Sequence, residues 1–354
     1  MKKEQLLSKF KKIPWRLLFN IFIVAFTLVM IIFFIFSEGG FIDLINSNLN
    51  INIWWLITAI AVHLLNIAID ATIIYLFVRE TTPHVTAYNA FIASMVGQFF
   101  CAVTPSASGG QPMQILAMSQ MGIKGANATS ALVQKFLVWQ FTLTGYSIVA
   151  ILARFSFFAS HLDVTMWILA VIGFLAQVAV IAALLLASFN KNLTKKIVNW
   201  IFTILGKIKL LKNPEEKIES TNNQLDVFHE SNKELNKNKT LLVKVYVLTA
   251  IQMTALFLVP YCIAESFGIN CNPFDMLCAQ AYVNMVSSLV PLPGASGAAE
   301  FCFSAFFSSY FTPETIKSAI LIWRTITYYG TIAISAPFSG FRNKAKAQTV
   351  NTVQ

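Results

Sequence analysis

The chain has 354 residues, of which 56% are hydrophobic and only 12% are charged. Because soluble domains carry about 25% charged residues, this composition excludes an ordinary soluble protein and predicts a polytopic membrane protein. The net charge is +10, but the Lys and Arg residues cluster in 1–16, 191–240 and 342–346, beside apolar runs. That distribution follows the positive-inside rule and excludes a nucleic-acid-binding surface.

Six apolar runs are long enough to cross a hydrocarbon core of about 30 Å. They cover residues 15–36, 53–78, 126–153, 164–189, 241–264 and 315–337. The first run follows a basic segment and has no small-residue cleavage site, which predicts an uncleaved anchor helix with a cytoplasmic N-terminus. Two further apolar regions, 88–122 and 275–311, are each interrupted by a stretch rich in Pro and Gly.

The charges of the loops predict the topology. Residues 37–52 carry two acidic residues and no Lys or Arg, so we expect them outside, whereas the basic stretch 190–240 is expected inside. Region 88–122 must then return to the side from which it entered, and 275–311 must do the same from the opposite side. The predicted fold class is an all-α polytopic membrane protein with an inverted repeat of helix, re-entrant hairpin and helix. It has about six full spans, two broken hairpins and both termini in the cytoplasm. The alternative is that each break is a kinked loop between two short, tilted spans.

We expect a single membrane domain over 1–354. Its first half is 15–189, with hairpin 88–122, and its second half is 241–337, with hairpin 275–311. They are joined by a basic cytoplasmic linker, 190–240, and followed by a basic tail, 338–354. Part of the linker has apolar residues at helical spacing beside Lys residues, which predicts an interfacial helix on anionic lipid. The alternative is a continuation of the preceding span followed by a solvated linker. The apolar residues concerned are Leu193, Ile197, Ile201, Ile204, Leu205 and Ile208.

Four ionisable residues lie within apolar segments: Asp70, Lys135, Glu300 and Arg324. Each costs about 2.5–3.5 kcal/mol at the centre of a bilayer, so each is a candidate functional residue. Asp70 and Lys135 are nine residues from the cytoplasmic ends of their spans, which is about 13 Å at 1.5 Å per residue, so we expect them to pair. Glu300 is the expected partner of Arg324. Each cation follows a break in the chain, which suggests a phosphate-binding role. The alternative is that the cations only neutralise the two carboxylates.

The breaks themselves supply candidate binding groups. Pro112 and the pair Ser296-Gly297 stand at the starts of helical runs, and helix N-termini at membrane depth attract anions. We find no serine-hydrolase, nucleotide-binding or zinc-protease motif, and the five cysteines lack metal-ligand spacing. We therefore expect no catalytic residue, no metal and no cofactor. The substrate-binding candidates at the breaks are Ser108, Gly109, Gly110, Gln111, Gly294, Ser296 and Gly297.

Two motifs carry a family resemblance. They are Thr104-Pro105-Ser106-Ala107-Ser108-Gly109-Gly110-Gln111-Pro112, followed by Gln134-Lys135, and Pro291-Leu292-Pro293-Gly294-Ala295-Ser296-Gly297-Ala298-Ala299-Glu300, followed by Arg324. Together they resemble the lysylphosphatidylglycerol synthase transmembrane family, the flippase-like membrane region of the multiple peptide resistance proteins. This sequence has Ala295 where a second Gly is usual, Gln111 where Arg is common and Gln134 where an acidic residue is common.

The resemblance implies movement of lipids such as lysyl-phosphatidylglycerol across the cytoplasmic membrane, and resistance to cationic peptides. The family's lysyltransferase activity requires a cytosolic C-terminal domain, for which we expect no room after Pro337. The sequence thus favours a translocase for phospholipid or lipid-linked phosphate, with membrane lipids as partners and no nucleic acid. A phosphatidylglycerol lysyltransferase and a proton-coupled transporter of a small anion remain alternatives, and homo-oligomerisation is left open.

Overall fold

A computed structural model describes residues 51–161, 164–207, 214–288, 290–313 and 315–340. The described residues are helical throughout, without a strand. Four segments are long and apolar enough to cross a membrane: Ile53–Thr81, Gly125–Phe155, Trp167–Phe189 and Lys239–Ser266. These match four of the six spans expected from the sequence. The expected span 15–36 and most of the tail 338–354 lie outside the described residues.

The described part of the first half, from residue 51, contains five helices. They are α1 (Ile53–Thr81), α2 (Ala87–Val103), α3 (Gly110–Gln120), α4 (Gly125–His161) and α5 (Val164–Phe189). A short 3₁₀ turn, Pro105–Ala107, lies between α2 and α3. The helices α2 and α3 pack against each other as a hairpin, and the chain breaks between them where the Pro and Gly residues predicted an interruption.

Within the described residues of the linker lie two helices, α6 (Lys191–Lys207) and α7 (Pro214–Lys237). The chain leaves helical conformation at Asn190, whose side chain accepts a hydrogen bond from the Leu193 N–H at 3.0 Å. Asn190 thus caps α6 as a separate helix, and the alternative of a simple continuation of the preceding span is wrong. Helix α7 packs against α4, where the side chains of Asn232 and Gln134 are hydrogen bonded.

The second half begins with α8 (Lys239–Phe257) and α9 (Val259–Ser266), which together form one apolar segment. A second hairpin follows, made of α10 (Pro273–Ser287), a 3₁₀ turn at Pro293–Ala295 and α11 (Ala298–Phe307). The region expected as the last span, 315–337, is divided. It comprises α12 (Thr315–Arg324), a π-helical turn (Thr325–Tyr329) and α13 (Gly330–Ser335).

Each hairpin packs against a helix of the other half. The first hairpin packs through α2 against α13 of the second half, and the second hairpin packs through α10 against α4 of the first half. Helix α1 packs against α8 and α9. The largest core cluster lies in the second half, where Phe303 and Phe307 stack with ring centroids 4.3 Å apart. This arrangement brings the two interrupted segments together, and their 3₁₀ turns are in contact.

Candidate functional site

The two breaks have the same backbone conformation over four residues. Thr104 and Leu292 are extended, with φ of −112° and −107°, and each precedes a proline. The residues that follow the two prolines, Ser106 and Gly294, have left-handed backbone conformations, with φ of 51° and 59°. The alanines after them also have positive φ. The motif Pro-Ser-Ala-Ser-Gly of the first half thus repeats as Pro-Gly-Ala-Ser-Gly in the second.

Hydrogen bonds within the breaks repeat as well. Ser108 Oγ donates to the Pro105 carbonyl and Ser296 Oγ donates to the Pro293 carbonyl, each at 2.8 Å. The Gly109 N–H donates to Thr104 Oγ1 at 2.9 Å. These hydroxyl groups and this N–H therefore stabilise the turns themselves.

Glycine is required at two positions by close approach. A side chain at Gly294 would place its Cβ 2.3 Å from the ring of Tyr328, at a backbone φ of +59° that side chains rarely adopt. A Cβ at Gly110 would lie 2.0 Å from Cys101 Sγ. Both glycines therefore allow a break to pack directly against a neighbouring side chain.

Arg324 and Glu300 form a buried ion pair at the second break. Arg324 Nε lies 2.6 Å from Glu300 Oε1, and the two residues are only 5% and 9% exposed. The other carboxylate oxygen, Oε2, accepts the Gly297 N–H at 2.6 Å, so Glu300 also caps the first turn of α11. Arg324 Nη1 donates to the Gly294 carbonyl at 3.0 Å. The pair thus connects α12, α11 and the turn between α10 and α11.

One nitrogen of the Arg324 guanidinium group, unlike Nε and Nη1, donates no hydrogen bond to the described residues. Its Nη2 is buried and has no hydrogen-bond partner among the described residues. The guanidinium also lies 5.4 Å from the ring centroid of Tyr328, within cation–π range. Tyr328 belongs to the π-helical turn, and its hydroxyl donates to the Ala102 carbonyl of the first hairpin at 3.0 Å. Since π-helical turns are frequent at functional sites, this segment is a candidate part of one.

A cavity of about 380 Å³ lies between the two breaks. Both 3₁₀ turns contribute to its wall, as does Arg324, and α10 contributes a row of polar side chains. Gln280 in this row has a buried Oε1 without a hydrogen-bond partner in the described part of the chain. The residues on which the site depends are Ser106, Gly294, Gln280, Asn284, Ser288 and Arg324.

Asp70 and Lys135 form a second buried cluster. Lys135 Nζ lies 2.6 Å from Asp70 Oδ1, as the equal depth of the two residues predicted. Asp70 Oδ2 accepts from Ser94 Oγ at 2.6 Å, and Oδ1 accepts from Gln252 Nε2 at 3.3 Å. The carboxylate thus connects α1, α2, α4 and α8.

The sequence-predicted candidates occupy different places. Of the four ionisable residues, Arg324 lines the cavity, whereas Asp70 and Lys135 are not among its described lining residues. Gly294 lines the cavity as well. The remaining candidates at the breaks lie in the turns or at the adjoining helix starts, and they are Ser108, Gly109, Gly110, Gln111, Ser296 and Gly297.

Sequence reasoning missed two amides of α10, Gln280 and Asn284. Together with Ser287 they have the spacing i, i+4, i+7, which places them on one face of a largely apolar helix. This periodicity was the available signal. Gln252 was missed in the same way, because a single amide in an apolar span does not identify its partner.

The fold and the cavity define a class, that of an all-helical multi-pass membrane protein with a buried polar site between two interrupted segments. The sequence matches the lysylphosphatidylglycerol synthase transmembrane region over residues 17–335. The chain belongs to that family, as its two motifs suggested.

Two relatives are similar over most of their lengths. A UPF0104 membrane protein of Archaeoglobus fulgidus is 26% identical over 268 residues, covering 73% of this chain and 79% of the relative. The uncharacterized protein MG306 of Mycoplasma genitalium is 20% identical over 339 residues, covering 88% of this chain and 84% of the relative. No solved structure matches.

Proposed function

We propose that this protein is a translocase for phospholipid or lipid-linked phosphate head groups in the cytoplasmic membrane. The observation that carries the proposal is Arg324, which lines the cavity between the breaks and has a buried Nη2 without a partner among the described residues. Leaving a buried donor unsatisfied costs about 1–3 kcal/mol. A phosphate oxygen that accepts from Nη2 removes this cost, so the site favours an anionic head group.

The form of the guanidinium supports phosphate as the ligand. Glu300 and the Gly294 carbonyl occupy Nε and Nη1 and hold the group in a fixed orientation. A planar guanidinium held in this way donates in a defined direction, which a Lys ammonium does not. Gln280 and Asn284 of α10 also line the cavity and offer additional hydrogen bonds.

The size of the cavity supports a head group rather than a whole lipid. Its volume of about 380 Å³ is near the lower end of the range of about 300–1,000 Å³ for small-molecule sites. In our proposal the head group enters the cavity while the acyl chains remain in the bilayer. The family's description as a lysylphosphatidylglycerol synthase membrane region supports a lipid-related substrate.

The proposed mechanism depends on an inverted repeat. Two segments, α1–α4 and α8–α13, each consist of a helix, a broken hairpin and a helix. The hairpin of each segment packs against helices of the other segment. In transporters of this design the halves move against each other around a site near the bilayer midplane. We propose six spans with both termini in the cytoplasm.

Cysteine labelling tests this topology. In a background that lacks the five native cysteines, His84→Cys and Asn270→Cys, exposed in the loops that precede the two hairpins, should react with an impermeant maleimide from opposite faces of the membrane. Reaction of both cysteines from the same face would contradict the inverted repeat.

Translocation itself is tested in proteoliposomes that contain a fluorescent phospholipid, with dithionite reduction reporting its outward movement. Arg324→Gln should abolish movement. Arg154→Gln is the matched control, because Arg154 also pairs with a carboxylate, Asp275, but is not among the described cavity-lining residues. We expect this variant to retain activity.

Two outcomes would contradict the proposal. A folded Arg324→Gln protein that moves lipid at the normal rate would exclude the phosphate-binding role. Uptake of labelled inorganic phosphate that depends on Arg324, without lipid movement, would identify a transporter of a soluble anion instead. Mass spectrometry of co-purified lipids identifies the head group.

A further inference from the structure

Helix α6 has an exposed apolar ridge that the proposed translocation site does not use. The ridge consists of Ile197, Trp200, Ile201 and Ile204, at the spacing i, i+3, i+4, i+7. Trp200 is 64% exposed, and Ile197, Ile201 and Ile204 are 48%, 44% and 37% exposed. A continuous apolar face of this kind on a helix is typical of a surface that another apolar phase covers.

The opposite side of α6 is attached to the protein by ion pairs. Lys191 Nζ and Lys195 Nζ lie 2.9 Å and 2.6 Å from the same atom, Asp226 Oδ1 of α7. At 100° per residue, Lys191 and Lys195 lie about 130° and about 170° around the helix from the centre of the ridge. The ridge therefore points away from α7.

The position of α6 in the chain brings the ridge to the membrane surface. Helix α5 contains a segment long and apolar enough to cross a membrane, Trp167–Phe189, and α6 begins at Lys191. The intervening turn is fixed, because Thr194 Oγ1 donates to the Ala187 carbonyl at 2.9 Å. Since α6 starts two residues after the end of a span, its first turns lie at the level where the bilayer ends.

The charge of α6 indicates which surface it meets. Residues 191–207 contain Lys191, Lys195, Lys196 and Lys207 and no Asp or Glu. Lys196 is exposed on the flank of the ridge and forms none of the ion pairs described for this helix. Basic residues beside an apolar face favour an anionic lipid surface, and Trp is enriched at the membrane interface.

We infer that α6 is an anchor that inserts the ridge Ile197, Trp200, Ile201 and Ile204 into the surface of an anionic phospholipid bilayer. Lys196 contacts the lipid phosphates at the flank of the ridge, while Lys191 and Lys195 hold α7. Through α7, which is hydrogen bonded to Gln134 beside Lys135, the anchor fixes the position of the linker relative to α4.

Spin labels on the complete chain test this inference. The label is attached to Ile201→Cys or, as control, to Thr203→Cys, which is exposed but lies off the ridge. The native cysteines are replaced, and the protein is placed in nanodiscs with or without phosphatidylglycerol. With phosphatidylglycerol, oxygen should relax the label at 201 more than a water-soluble nickel complex does, and the order should reverse at 203. Adding Lys196→Gln should reduce this contrast in anionic nanodiscs and leave it unchanged in pure phosphatidylcholine.

Three results would overturn the inference. Equal access of the nickel complex to both labels would place the ridge in water. Exclusion of both reagents from position 201 would mean that protein, such as a second copy of the chain, covers the ridge. The same contrast in both lipid compositions would remove the role of anionic lipid. None of these results depends on whether the protein moves lipid.

Discussion

Substitution of Glu300 by Gln should destabilise the second break, because it leaves the buried charge of Arg324 without its counter-ion. Glu300 Oε1 accepts from Arg324 Nε and Oε2 accepts from the Gly297 N–H, both at 2.6 Å, in a site with less than one-tenth exposure. Loss of one partner from a buried ion pair costs about 3–5 kcal/mol because the remaining charge is uncompensated. The Gln amide oxygen retains one acceptor contact, so we expect the lower end of this range.

Two companion variants separate stability from binding. Arg324→Lys keeps the charge but loses the second fixed donor, which reaches the Gly294 carbonyl in the wild type. It should fold, with weaker lipid movement. The double variant Glu300→Gln/Arg324→Met leaves no unpaired buried charge, and replacement of both partners of such a pair is often neutral for stability. It should recover most of the melting temperature and none of the lipid movement.

Thermal unfolding monitored by intrinsic fluorescence, alongside the proteoliposome assay, distinguishes the outcomes. The expected order of melting temperatures is wild type, then the double variant, then Glu300→Gln. If Glu300→Gln melted like the wild type, the pair would not stabilise the break. If the double variant moved lipid normally, Arg324 would have no role in binding the head group.

Three further predictions follow from the described contacts. Asp70→Asn should lower the melting temperature. The double variant Asp70→Asn/Lys135→Met should recover the melting temperature without restoring lipid movement. Normal lipid movement by the double variant would show that the pair is purely structural. Gly294→Ala should unfold or inactivate the protein, because the new Cβ would clash with the ring of Tyr328. Ala295→Gly should raise the melting temperature, because a non-Gly residue in left-handed conformation costs about 1–2 kcal/mol. Lys195 and Lys191 hold the pKa of Asp226 below its ordinary value of 3.8. The contact between α6 and α7 should therefore persist at pH values above the lowered pKa and be lost as the pH falls through it. The distance between spin labels on the two helices measures this loss. Asp226→Asn should weaken the contact at neutral pH.

Hydropathy predicted the long spans because burial in a bilayer imposes a minimum length on each helix. The four spans found in the described residues agree with their predicted limits to within a few residues. The breaks in the two apolar regions were also predictable, since Pro105, Pro291 and Pro293 interrupt the apolar runs. The division of the last helical region by a π-helical turn was not predictable, because it depends on packing around Tyr328 rather than on a residue that breaks helices.

Position along a helix could be predicted, but orientation around the bundle could not. Counting residues gave Asp70 and Lys135 the same depth, and they do pair. The same count could not show whether Lys135 faces the cavity, because the direction of its side chain depends on how four helices pack. For the same reason Ser94 and Gln252, which complete the cluster, were not identified.

The repeat at the breaks was present in the sequence but was aligned differently. Sequence reasoning matched Pro112 with Ser296-Gly297, as the starts of the helical runs that follow the breaks. The backbone aligns Thr104–Ala107 with Leu292–Ala295 instead, since both segments place a proline before two left-handed residues. A comparison of Pro-Ser-Ala-Ser-Gly with Pro-Gly-Ala-Ser-Gly would have found this register.

The two buried ion pairs hold the two hairpins in equivalent ways, although only one of them borders the cavity. Asp70 connects Ser94 of the first hairpin to Lys135 on the helix that follows it, and Glu300 of the second hairpin is paired with Arg324 on the helix that follows it. If the hairpins move during transport, each pair lies where movement would begin. Loss of the first pair should then impair movement even when stability is restored, because the hairpin is no longer coupled to α4. Loss of Arg324 should remove both the coupling and the phosphate contact, so Arg324→Gln should show the greater loss of lipid movement.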